Sequence, residues 1–329
     1  EHFYPDDRTD IAKLLRVVRR VMRHMDVLYG IENPAFKDLR HDREYLFHRL
    51  LPGLGKFLLT IGKINRMTAP VDEYLARLTR SQPLVDIVSQ HFFRKTPAFF
   101  ALSYFSLYLD YIYPLGGTSA LPRALEGYCR AHEVKIRTKV RITDVDVVGH
   151  TVRDQAGTAY AYRKLVWAAD LKALYRAVAL EALPPGRGRR RAHERAAIVA
   201  AGSGGDSVFT LYLAADRAPE WFSERSHGHF FYTPTRRGVG RDIHTALDAL
   251  VADAPSDSSL ARRQELEQWV RHYMGSTTYE ISIPALKDRA LAPAGRTGLI
   301  ISVLFSYKLC EAAERDGIDY QDHPGSAVV

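Results

Sequence analysis

Apolar residues recur at helical spacing over residues 8–29, where Ile11, Leu14, Leu15, Val18, Met22 and Met25 form one stripe. Arg16, Arg19, Arg20 and Arg23 lie mostly off it. Asp6, Asp7 and Asp10 sit at its start, where carboxylates suit the positive end of a helix, and Gly30 closes the pattern. Shorter helical patterns at about 42–50, 52–66, 71–80 and 83–91 make the first 112 residues read as all-helical.

The period changes after Tyr113-Pro114-Leu115-Gly116-Gly117. One helix is predicted at 119–132, followed by four short β-type runs at 134–138, 141–148, 151–153 with 159–162, and 165–168. Gly149-His150 and Gln155-Ala156-Gly157 supply turns too tight for crossovers, which predicts an antiparallel meander. Beyond Asp170 the pattern is mixed. Loops are predicted at 184–195 and 201–207, strands at 208–214, 229–233, 277–284 and 299–305, and helices at 217–225, 242–253, 260–274 and 306–316. The fold class expected is α+β.

Composition narrows the function classes. With 329 residues, 46% hydrophobic and 26% charged, the chain has globular values that exclude disordered and fibrous folds, and its length suits about two domains. The net charge of +8 suits nucleic acid or an anionic membrane surface without requiring either. Cys129 and Cys310 are the only cysteines, so no disulfide framework or multi-thiolate metal site is expected, and a reducing, cytoplasmic setting is the simplest reading. The chain opens on Glu1 without an initiator Met, basic n-region or apolar h-region, so it is expected to be an excised or processed piece. The apolar stretch 98–113 contains Asp110 and falls short of the ~20 residues a membrane span needs.

Several familiar motifs fail on inspection. Gly202-Ser203-Gly204-Gly205-Asp206-Ser207 has serine where a third dinucleotide-loop glycine would stand, and a strand follows it rather than a helix. Gly53-Leu54-Gly55-Lys56 is followed by Phe57, which excludes a P-loop, and Ala201 before Ser203 excludes a nucleophile elbow. With no His-Glu-x-x-His or Cys-x-x-Cys, no metal is expected. The cluster Arg187, Arg189, Arg190, Arg191 and Arg195 reads as a solvated loop rather than a nucleic-acid site. The basic helix at 8–24 raises the option of peripheral membrane contact.

Residues 91–113 are more informative. Aromatic residues crowd there, and Phe100, Tyr104, Tyr108 and Tyr111 fall on one helical face. Such a face is either core or the wall of a long apolar cavity, which makes these four the candidate substrate-binding residues. His91 is the candidate acid or base, since imidazole titrates near neutrality; the alternative is a structural histidine.

The run Tyr113-Pro114-x-Gly116-Gly117-x-x-Ala120-Leu121, then Thr138-Lys139-Val140-x-Ile142, Asp154-x-x-Gly157, Val166-Trp167-Ala168-Ala169-Asp170 and Leu286-Lys287-Asp288-x-x-Leu291-Ala292-Pro293-x-Gly295, is ordered along most of the chain. In that order the motifs resemble the phytoene desaturase, carotenoid isomerase and retinol saturase branch of the flavin-dependent amine oxidase superfamily. The resemblance implies an α/β parent with a Rossmann-type FAD domain in three sequence pieces. Residues 113–172 would be the middle piece, and residues 1–112 and 173–329 the substrate domain. It further implies cofactor contacts at Gly116, Gly117, Val140 and Ala168, a long apolar polyene or isoprenoid substrate, and hydride exchange with flavin or flavin-assisted isomerisation. The strand–Gly-x-Gly-x-x-Gly–helix unit that grips pyrophosphate does not occur in these residues, so the chain alone is expected to be inactive. The alternative from another class is a non-enzymatic lipid-binding module with a basic membrane-facing helix.

Overall fold

The computed structural model describes residues 4–29, 44–106, 111–202, 206–252 and 260–315. The first helices are α1 (Arg8–Tyr29), α2 (Leu51–Ile64), α3 (Val71–Ala76), α4 (Gln82–Ser89), α5 (Ala98–Tyr104) and α6 (Ala120–Ala131). Strands β1 (Ile142–Asp146), β2 (Thr151–Asp154) and β3 (Ala159–Ala161) follow, then α7 (Leu171–Ala177) and α8 (Arg187–Ala201). The remainder is β4 (Ser207–Ala215), α9 (Pro219–Ser223), β5 (His229–Tyr232), α10 (Ile243–Ala252), α11 (Leu260–Met274), β6 (Tyr279–Ser282), β7 (Thr297–Phe305) and α12 (Tyr307–Arg315). The fold is α+β. It divides into two compact units, residues 1–120 with 205–329, and residues 121–204. The second unit therefore also takes in 173–204, which the sequence reading had assigned to the substrate domain.

In the larger unit most of the apolar stripe of α1 faces the core, with Leu15 left exposed. Val21 and Met25 are buried with Leu102 of α5, and Leu14, Val17, Val18 and Phe99 pack around them. Its arginines stay exposed. The acids at its start are bonded: Thr79 Oγ1 donates to Asp10 and Ser81 Oγ to Asp7, each at 2.7 Å, which ties α1 to the link between α3 and α4. Val71, Leu75, Val85, Val88 and Ala101 form the next cluster, between α3, α4 and α5.

The four-stranded sheet of this unit runs β4-β7-β6-β5, and every pairing is antiparallel. Val303 on β7 packs with Val239, Ile243, Leu247, Leu266, Trp269, Tyr273 and Leu309, the largest apolar cluster. Trp269 stacks on Tyr273 with centroids 4.9 Å apart, and its indole N–H donates to the Ile243 carbonyl at 3.0 Å.

The smaller unit holds the expected meander, β1-β2-β3, with Val145 paired to Val152 and both buried. Asp146 accepts the Val148 and Gly149 N–H groups in the first turn. Asp154 accepts Ala156 and Thr158 N–H and the Tyr160 hydroxyl in the second. The Tyr160 bond above all holds the Asp154 carboxyl below its ordinary range.

Three expectations are corrected here. Residues 134–138 and 165–168 are irregular rather than strands, because neither run pairs with a neighbouring strand and β propensity alone does not hold an unpaired segment. The loop expected at 184–195 gives way from Arg187 to helix α8, which runs on to Ala201. Gly186, at positive φ, starts it, and arginine and alanine are good helix formers once the chain has turned. Glu181 pairs with Arg189 and His193 of that helix. Among the described residues no helix is long and apolar enough to cross a membrane.

Candidate functional site

The turn at residues 113–117 carries two consecutive left-handed glycines, Gly116 (φ 82°) and Gly117 (φ 80°), a conformation that a side chain would strain. A Cβ on Gly117 would also stand 3.4 Å from the Leu291 side chain. The turn is pinned from a distant part of the chain. Gly116 N–H donates to Asp288 Oδ2 at 2.7 Å, while Asp288 Oδ1 accepts Ala290 N–H at 3.0 Å. The sequence motifs around Gly116 and Asp288 therefore meet at one carboxylate. Those two bonds, the one from Gly116 first, hold the Asp288 carboxyl below its ordinary range.

This clamp makes a test. Asp288 has a depressed pKa in the folded state, so the clamp is intact above the ordinary carboxylate range and releases as pH falls through the lowered value. Asp288→Ala is expected to speed hydrogen exchange at the Gly116 amide by about tenfold or more, with Asp288→Asn intermediate because it keeps an acceptor oxygen. Unchanged Gly116 exchange in Asp288→Ala would show that the turn holds itself.

A row of rings leads away from the turn. Lys287 Nζ lies 4.6 Å from the Tyr113 ring centroid and 5.3 Å from that of Tyr111, and donates to Ser282 Oγ at 3.2 Å. Tyr111 stacks on His229 at 5.7 Å, and His229 Nε2 is 2.8 Å from Glu280 Oε1. His229 and Phe231 share one face of β5, with centroids 5.3 Å apart. Phe231 meets His91 edge-on at 4.6 Å; His91 then touches Phe92, which meets Tyr104 and Phe105 edge-on.

Burial pushes the His91 imidazole down to about 4, against a smaller upward pull from Glu280, so it is neutral at physiological pH. A cavity of about 70 Å³ lies beside it, lined by Phe231 and Glu280 and by Val208, Ser302 and Leu304 of the sheet.

A larger cleft of about 470 Å³ is lined by Phe92 and Phe93 together with Asp86, Gln90, Arg94, Asp206, His244 and Tyr273, among others. Arg94 donates its backbone N–H to Asp206 at 2.7 Å and its guanidinium to both oxygens of Asp248 at 3.0 and 2.8 Å. Burial, then Arg94, lowers the His244 pKa. Among the described residues, the buried Gln90 Oε1 and His244 Nδ1 find no hydrogen-bond partner.

Of the four candidate substrate residues, Tyr111 joins the ring row through His229 and Tyr104 through Phe92. Phe100 is exposed on α5, and Tyr108 lies outside the described residues. The cavity walls are instead supplied by Phe92, Phe93, His91 and Phe231. Val140 and Ala168 sit in exposed irregular stretches of the smaller unit. The sequence reading missed His229, Phe231 and Glu280 as site residues; the available signal was the i, i+2 alternation of His229 and Phe231 on one predicted strand.

The family described as flavin containing amine oxidoreductase matches residues 66–266, more than half of the 329-residue chain, and the chain belongs to that family. No curated protein matches the chain.

Proposed function

We propose that this chain, a domain of a flavin-dependent oxidoreductase, positions a long apolar substrate of the polyene or isoprenoid class for desaturation, saturation or isomerisation. The observation behind the reading is the ring row from Tyr113 and Tyr111 through His229 and Phe231 to His91 and Phe92, beside a turn held by Asp288. Flat, polarisable faces grip an extended hydrocarbon along its length, and a neutral His91 adds no charge of its own to the row. Family membership sets this reading above that of a lipid-binding module without redox chemistry.

FAD is the cofactor of the family. The residues present fit part of it. In the larger unit the paired glycines 116 and 117 allow close backbone approach. When bound, FAD supplies the two-electron chemistry. The chain's own residues orient the substrate along the ring row and keep the turn in place through Asp288.

The 329-residue chain is expected to purify colourless, because FAD pyrophosphate needs glycine-approached N–H groups at a helix start and no strand–Gly-x-Gly-x-x-Gly–helix occurs in its sequence. Near-equimolar flavin absorbance would refute this. A protein carrying this chain together with such a unit is expected to be yellow. The substrate reading is tested by anaerobic mixing of that holoprotein with a linear polyene and, separately, with a primary amine. Bleaching of oxidised flavin, or reoxidation of pre-reduced flavin, by the polyene supports it. Flavin reduction by the amine alone overturns the polyene assignment while leaving family membership intact.

A further inference from the structure

We propose that the outer face of α2, with the turn before it, docks the chain on an anionic lipid bilayer. Phe47, Leu54, Leu58 and Leu59 are exposed by 57%, 44%, 62% and 71%. Leu54 and Leu58 are four residues apart on α2, so they share one side, and Leu59 extends it; Phe47 is exposed on the wider π-helical turn, Tyr45–Leu50, that leads into α2. The opposite side is occupied, since Thr60 and Ile64 are buried and α2 packs on α1. Single exposed leucines are ordinary, but four large apolar side chains along a few turns form a patch that calls for a partner.

The charge around the patch names that partner. From residue 45 to 66 the sequence carries Arg49, Lys56, Lys63 and Arg66 and no acid. Lys56, Lys63 and Arg66 are exposed, as are Arg20 and Arg23 on the neighbouring α1. The two helices share one electrostatic environment at this point. The His24 pKa is lowered first by burial and then by Lys63, Arg20 and Arg23, so cations of both helices act on this one side chain of α1. An apolar helix face bordered by cations matches an anionic bilayer surface, where leucine and phenylalanine enter the acyl boundary and lysine and arginine meet lipid phosphates. A symmetric contact with a second copy would instead turn this cationic border on itself. From the sequence, helix 8–24 was an option for peripheral membrane contact; most of its apolar stripe is spent on the core, so α2 supplies most of the apolar half of the contact and α1 mainly charge.

The test is co-sedimentation of the 329-residue chain with vesicles of equimolar phosphatidylglycerol and phosphatidylcholine, beside pure phosphatidylcholine vesicles. Binding to the anionic vesicles alone, weakened by added salt, is expected. Leu58→Glu is expected to weaken it about tenfold or more, since one inserted leucine is lost. Lys63→Glu, which leaves the apolar face intact, is expected to weaken it about fivefold or more. Both side chains are exposed, so melting temperatures should match the wild type, and Lys63→Glu keeps the test open if Leu58→Glu folds poorly. Absence of wild-type binding, binding indifferent to lipid charge, or unchanged binding in Lys63→Glu overturns the proposal. So does light scattering that finds a wild-type dimer which Leu58→Glu turns into a monomer, because the face would then be a contact between copies.

Discussion

Trp269→Ala is expected to lower stability by about 3–5 kcal/mol, the range for truncating a buried aromatic in a close-packed core. Trp269 is buried in the largest apolar cluster, so its loss opens a cavity between α10, α11 and β7. It also leaves the Ile243 carbonyl without the indole donor at 3.0 Å. In a domain of this size that corresponds to a melting point lower by roughly ten degrees or more. Trp269→Phe, which refills part of the volume and keeps a ring against Tyr273 but not the hydrogen bond, should lie between the two. Thermal unfolding followed by circular dichroism ranks the three proteins. A loss under about 1 kcal/mol for Trp269→Ala would mean that α10 and α11 are not anchored through this side chain. The cleft would move with them, since His244 and Tyr273 in its wall belong to these helices.

Acid should expose the second large effect. In the folded chain, burial holds the His91 pKa at about 4 against an ordinary value of 6.5. Between those values the unfolded chain takes up a proton that the folded chain refuses. The stabilisation is therefore fully present above pH 6.5, falls as pH drops towards 4, and is flat below, a loss of about 3 kcal/mol in all. His91→Leu removes the titrating group and should flatten that part of the acid limb. Denaturant unfolding at a series of pH values, with imidazole shifts followed by NMR, makes the comparison. An imidazole that titrates near its ordinary value would refute both the burial of His91 and its neutral role beside Phe231.

Much of the secondary structure was legible because it is local. The stripe of α1, the helices α10, α11 and α12, and the strands β4, β5 and β7 begin and end within a few residues of where periodicity predicts. Side-chain spacing along one segment decides which face turns inward, and no distant residue is needed for that. The misread runs at 134–138, 165–168 and 184–195 have a different cause. In the first two, composition favoured a strand that has no neighbour to pair with. In the third, glycine and proline at 184–188 suggested a loop, although the chain needed them only to turn into α8.

The site shows where local information ends. Phe100, Tyr104 and Tyr111 share a face only while one helix continues, and α5 ends at Tyr104. Tyr111 is placed instead by stacking on His229, more than a hundred residues later in the chain. By itself the sequence determined the helical and stranded segments, the aromatic richness of 91–113 and the ordered motifs that place the chain in its family. Tertiary structure alone decided that Asp288 would close on Gly116, that antiparallel pairing would set Glu280 across from Phe231, and that His91 would lie half-buried against the sheet. Spacing along a chain records which way a side chain points from its own backbone. Which side chain it meets depends on loop closure and strand register, which are settled only when the whole core packs.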